Sequence, residues 1–95
     1  MTIEDTRESA YKNIKQQLDR VFSKGGIPNL KDFKKIINDL HKRIKTIENG
    51  ALMFANTLDE VRKAELAIAN LQGQYDAYKE RYNIFMKRIK ENERL

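Results

Sequence analysis

TLDEVRKAELAIANLQGQYDAYKERYNIFMKRIKENE, residues 57–93, decides the fold. Its opening, Thr57-Leu58-Asp59-Glu60, has the form of a capping box: a hydroxyl to accept from the third helical amide and a carboxylate to reach back. No Pro follows. Apolar residues recur at three-four spacing through Val61, Ala64, Ile68, Leu71, Tyr75, Tyr78, Tyr82, Phe85 and Ile89, which is one face of a long helix. At 1.5 Å per residue that helix is about 55 Å long. A second strip, Leu66, Ala69, Gly73, Ala77 and Ile84, lies away from the seam. A helix apolar on two sides sits centrally in its bundle. The small side chains on this strip let another backbone come close.

Working back along the chain, a second helix is expected from Asn29, a good N-cap. Its seam is Leu30, Phe33, Ile37, Leu40, Ile44 and Ile47, a heptad spacing widened by Ile36. Asn49-Gly50 is a turn signal, yet Ala51, Phe54 and Leu58 keep the same register. Residues 49–56 therefore read as a weakened helix, a kink or a loop, and the pattern favours a helix continuing to about Ala55. A first helix is expected over residues 3–23, with the stripe Tyr11, Ile14, Leu18, Val21 and Phe22. Glu4, Asp5 and Glu8 suit the positive end of its dipole, and the first two turns, with Ile3 alone apolar, are expected to fray. Lys24-Gly25-Gly26 supplies a left-handed stop, and Ile27-Pro28 excludes helix just before the Pro.

The reading is thus all-α: one helical domain over 1–95, a three-helix antiparallel bundle or helical hairpin with a long C-terminal coiled-coil-like helix. The first helix packs on the small-residue strip and the second on the aromatic seam. Helix three outruns the first helix, so a homodimer is expected through its overhanging end and through Leu66, Gly73, Ala77 and Ile84.

Composition narrows the chemistry. There are 95 residues, 19 basic and 14 acidic, with one His and no Cys, for a net charge of +5. A chain this short has a thin core. Without Cys there is no disulfide framework and no thiol nucleophile. The one His, His41, stands between Asp-Leu and Lys42-Arg43, and Ser9 and Ser23 are the only serines. That is too little for a nucleophilic triad, and Gly25-Gly26 lacks the frame of a phosphate loop. One His makes no zinc site. Asp76 and Glu80 are interleaved with Lys79 and Arg81 and read as a salt-bridged face. No catalytic role, metal or cofactor is expected. The polar start shows no apolar leader, no apolar run approaches membrane-spanning length, and a cytoplasmic setting with no membrane partner is expected.

The most specific surface feature is basic. Lys31, Lys34, Lys35, Lys42 and Lys45 fall within about 100° of one another on helix two, opposite its seam. Residues 29–55 hold six Lys/Arg and three Asp/Glu, so they carry +3 of the total +5. Lys87, Arg88 and Lys90 form a second cluster. Such a face suits an acidic protein surface or phosphates. Its near-exclusive use of Lys favours the protein, because Arg is the usual choice for bidentate phosphate or base contacts. Tyr75, Tyr78, Tyr82 and Phe85 share a face that would also serve as a base-stacking platform. Their seam positions make them core, with a wet margin for the hydroxyls.

In size and helix pattern the chain resembles small accessory proteins: secretion chaperones, phage-encoded regulators and inhibitors, and assembly adaptors. No motif residue is attached to that resemblance, so it assigns no residue a role. The expected function is a non-enzymatic helical interaction module (adaptor, chaperone or inhibitor) that occludes a partner's surface, with nucleic-acid binding through the lysine stripe as the alternative.

Overall fold

The computed structural model describes residues 2–23 and 29–93. The glycine stop and Ile27-Pro28 lie outside them. Among the described residues there are three α-helices: α1, Ile3–Phe22; α2, Leu30–Ile47; and α3, Leu58–Glu93. The molecule is 56 × 23 × 17 Å, and its long axis matches the roughly 54 Å expected of the 36-residue α3.

Each helix starts on a side-chain cap. Asn29 accepts from the amides of Lys31 (3.0 Å) and Asp32 (3.3 Å). Thr57 accepts from the Glu60 amide at 3.1 Å, while the Glu60 carboxylate takes the Asn56 amide at 2.9 Å. The return bond thus reaches one residue further back than the usual box. Thr2 and Asp5 form a capping box on α1, which the sequence reading passed over in favour of a frayed start.

α2 ends earlier than its apolar pattern predicts. After Ile47 the backbone widens into a π-helical turn, Glu48–Leu52, and turns off through Met53 and Phe54. Gly50 is a weak helix former with no side chain to pack, and Asn49 adds little. The wider turn breaks the three-four register. Phe54 and Leu58, which a straight helix would carry along the seam, are instead 73% and 89% exposed.

α3 is the spine. α2 runs antiparallel to it: Phe33 lies against Phe85, and Leu40 and Ile44 lie against Ile68 and Leu71. α1 runs parallel to it, since Arg7 meets Asp76 and Tyr11 meets Glu80, four residues on in both helices. The order is therefore up-down-up. α1 and α2 do not pack along each other; they meet where Phe22 stands 5.8 Å from Phe33.

The core has two parts. Leu40, Ile44, Ile68 and Leu71 form one, with Ile47, Leu52, Tyr75 and Tyr78 against it. No α1 residue contributes. Leu18, Phe33 and Phe85 form the other, joined by Ile14, Phe22, Leu30, Tyr78 and Tyr82. Tyr78 bridges both. From Ala64 to Phe85 the seam of α3 is packed as expected, with half-buried tyrosines giving it the wet margin, while Ile89 at its far end is exposed.

α1 takes the small-residue strip. Ala10, Ala69, Gly73 and Ala77 are buried at this crossing. It is close enough that a Cβ on Gly73 would lie 2.2 Å from the Arg7 carbonyl oxygen and 2.8 Å from Ala10 Cβ. This corrects the expectation that Gly73 and Ala77 serve self-association: α1 of the same chain already fills the space above them. Of the four residues, Leu66 is half-buried and Ile84 remains 39% exposed. Beyond Met86, residues 87–93 of α3 are exposed and form the overhang.

Candidate functional site

Two surfaces stand out, and both belong to α2 and its exit. The first is the lysine face. Lys31, Lys34, Lys35, Lys42 and Lys45 are all exposed. Lys45 pairs with Glu48 at 3.4 Å. The other four have no ion pair among the described residues. Asp32 and Asp39 flank the stripe on the same helix, exposed and without an ion pair among the described residues, while four acids elsewhere are engaged: Asp76 with Arg7 at 2.7 Å, Glu8 with Lys12 at 3.0 Å, Asp59 with Lys63 at 3.1 Å, and Asp19 with Arg81. Glu80 accepts from the Tyr11 hydroxyl. Two of these pairs, Arg7–Asp76 and Arg81–Asp19, clasp α1 to α3, and the lysine charge of α2 is left facing solvent. Lys87, Arg88 and Lys90 are exposed as well. The antiparallel pairing of α2 and α3 places them at the end of the molecule where the stripe begins, beside Lys31 and Lys34 and away from Lys42 and Lys45.

The second surface is the corner between α2 and α3. Met53, Phe54 and Leu58 are 65%, 73% and 89% exposed, within six residues of chain. The other large exposed apolar residues (Ile3, Val21, Ile36, Ile84, Ile89) are scattered. Scattered ones are ordinary; a cluster marks a contact surface. Beside Phe54 opens an apolar notch lined by Ile47, Gly50, Ala51, Ala64 and Ala67, with Glu60 and Lys63 on its rim. Nothing lies within 4 Å of where a Gly50 Cβ would sit. The seam pattern hid this corner, because it counts Phe54 as core. Its one signal was Asn49-Gly50.

A third feature is the cleft between α1 and α2, floored by α3. His41 stands there with Arg7, Lys45, Glu48, Tyr75 and Asp76. The imidazole is exposed, 6.4 Å from the Tyr75 ring, and among the described residues no hydrogen bond orients it. Both carboxylates in the cleft are held by cations, Asp76 by Arg7 and Glu48 by Lys45. The hydrogen bond to Asp76 raises the Arg7 pKa further, against slight desolvation. On α1 beside it, the bond from Tyr11 to Glu80 raises the phenol above its usual 10.0, since ionisation would break the bond and set two anions together. The cleft thus holds a two-bond clasp of α1 to α3, Arg7 to Asp76, and a pair at the end of α2, Lys45 to Glu48.

Phe22, Phe33, Tyr78 and Phe85 face inward. Phe33 contacts Tyr78 and Phe85 edge-on, each at 5.8 Å, and Phe22 contacts Phe85 at 5.3 Å. Tyr82 carries Lys79 above its ring at 5.7 Å. Among the described residues no group of three or more metal-ligating side chains converges, and no helix is long and apolar enough to cross a membrane. Comparison with family models, curated proteins and solved structures finds no match.

Proposed function

We propose that this chain is a non-enzymatic interaction module of the adaptor, chaperone or inhibitor kind, working in the cytoplasm by covering an acidic surface of a partner protein. The supporting observation is the unpaired lysine face of α2. Four exposed lysines have no ion pair among the described residues, and the two acids of the same helix, Asp32 and Asp39, lie on its flank without closing one. Holding like charges together on one helix face costs stability, and an anionic partner relieves that repulsion. The stripe from Lys31 to Lys45 is about 21 Å long, enough for several turns of an acidic helix or a strip of carboxylates.

The second reading, nucleic acid, is favoured by the same straight row of charges, which also suits successive phosphates. Fluorescence anisotropy separates the two. Polyglutamate and a labelled duplex oligonucleotide are titrated at low salt and at about 150 mM, where exposed charges are screened beyond about 8 Å. The protein reading expects feeble oligonucleotide binding at the higher salt. It also expects polyglutamate binding that Lys35→Glu weakens and Lys12→Glu, off the stripe, leaves intact. Sub-micromolar oligonucleotide binding at 150 mM, lost on Lys35→Glu and falling with a log–log slope of about −0.9 per phosphate contacted, makes nucleic acid the function.

A further inference from the structure

We infer that the acidic partner does not stop at the α2 stripe but reaches over one flank of the α2–α3 hairpin, where Lys34, Lys79 and the Tyr82 hydroxyl together seat one of its carboxylates. This seat rests on the acidic-partner reading and adds residues of α3 to the contact.

Lys34 belongs to both surfaces, and that joins them. The flank is marked by His41 and Tyr75, whose rings lie 6.4 Å apart. Seven residues bring a packed helix back to the same side. Lys34 is seven before His41, and Tyr82 is seven after Tyr75. Because α2 and α3 run antiparallel, both steps lead in the same direction, and Lys34 comes level with Tyr82 on that flank. Tyr82 packs against the cluster of Leu18, Phe33 and Phe85, which lies at this level of the hairpin. Lys79 stands over the Tyr82 ring, 5.7 Å from its centroid. Two ammonium groups therefore border one phenol.

No acid of the chain answers them. Lys34 and Lys79 are exposed and have no ion pair among the described residues. One turn to either side of Lys34 stand Leu30, Lys31, Ile37 and Asn38, none of them acidic. Within one turn of Lys79 along the same face the only acid is Asp76, and both of its oxygens accept from Arg7, at 2.7 and 3.1 Å. Glu80 takes the Tyr11 hydroxyl, and Asp19 holds Arg81. Arg81 lies about 160° around α3 from Lys79, so α1 brings Asp19 to the other side. The hydroxyl of the half-buried Tyr82 has no hydrogen bond among the described residues. Two ammonium groups and a phenol are all donors, and an incoming carboxylate accepts from such a set in charge-assisted bonds.

The test titrates polyglutamate against the full chain by anisotropy at low salt. Lys79→Glu should weaken binding about fivefold relative to Lys12→Glu, which makes the same change of net charge on α1. Lys34→Ala and Lys79→Ala should each weaken binding, and the double variant should lose less than the product of the two, because both act on one carboxylate. Tyr82→Phe keeps the ring in place and should weaken binding about twofold. A Lys79→Glu variant that binds like Lys12→Glu while Lys35→Glu is weakened overturns the inference and leaves the acidic-partner reading standing. Losses that simply multiply in the double variant overturn the shared seat. No response of polyglutamate binding to Lys35→Glu overturns the acidic-partner reading itself.

Discussion

At the residue scale, the two described internal glycines behave oppositely. Gly73 lies under α1, and a methyl there would meet the Arg7 backbone oxygen at 2.2 Å. Backbone cannot swing aside as a side-chain tip can, so α1 must shift. Gly73→Ala should destabilise the fold by about 1–3 kcal/mol, although alanine is the better helix former by about 1 kcal/mol. A thermal melt showing no loss would mean that α1 does not sit this close. Tyr11 gives a pH signature. Its pKa is raised by its hydrogen bond to Glu80, so its contribution is complete below the unfolded value of 10.0 and is lost as pH rises through the higher folded value. Tyr11→Phe should therefore lower stability slightly at pH 8 and flatten the alkaline decline above pH 10. Urea melts at several pH values read this directly; an unchanged alkaline slope would remove Tyr11 from the clasp. The sequence disclosed that Gly73 sits on a small-residue strip. It did not disclose Ala10 as the opposing surface, since an alanine among Glu, Ser and Tyr carries no periodic signal. The clasps Arg7–Asp76 and Asp19–Arg81 were equally hidden, because ion pairs across helices follow from crossing geometry and not from spacing within one helix.

At the element scale, the capped starts of α2 and α3 were legible because capping is local: Asn29 and Thr57 need only their own next three residues. The end of α2 was misread for the converse reason. Apolar spacing through Ala51, Phe54 and Leu58 matched a helix, while the backbone cost of Gly50 is not a matter of periodicity. Gly50→Ala tests this account. Open space surrounds its Cβ position, so the methyl meets no clash. The substitution should stabilise the protein by about 0.5–1 kcal/mol and add helical ellipticity. A destabilised variant would show that the glycine is required by the turn. The aromatic seam is tested by Tyr78→Ala. Tyr78 bridges both core clusters and meets Phe33 edge-on at 5.8 Å. Its truncation should cost about 2–3 kcal/mol and lower the melting temperature by about 10 °C. A variant that melts like the parent but loses a ligand would make the tyrosines a binding platform.

At the scale of the whole molecule, the three helices are not equally secured. The cluster of Leu40, Ile44, Ile68 and Leu71 closes within the α2–α3 hairpin, with no residue from α1. α1 buries only Ala10 and Leu18 fully, and its clasps to α3 are largely solvent-exposed. Exposed ion pairs contribute about 1 kcal/mol at most, so close approach at Gly73 and the Leu18–Phe85 end hold the helix in place. Stability should therefore be graded, with α1 opening below the cost of global unfolding. Native-state hydrogen exchange reads this amide by amide. Amides in the segment Ala64–Leu71 should be the last to exchange, and those of α1 should exchange earlier and together. Gly73→Ala should widen that gap, since it loosens α1 while sparing the hairpin core. Equal protection of α1 and α3 would show a single cooperative unit. The grading matters for function, because α2 and its exit corner belong to the more stable hairpin. The lysine face of α2 keeps its geometry even when α1 opens, so under the function proposed above a partner meets a preformed surface and does not need to order it.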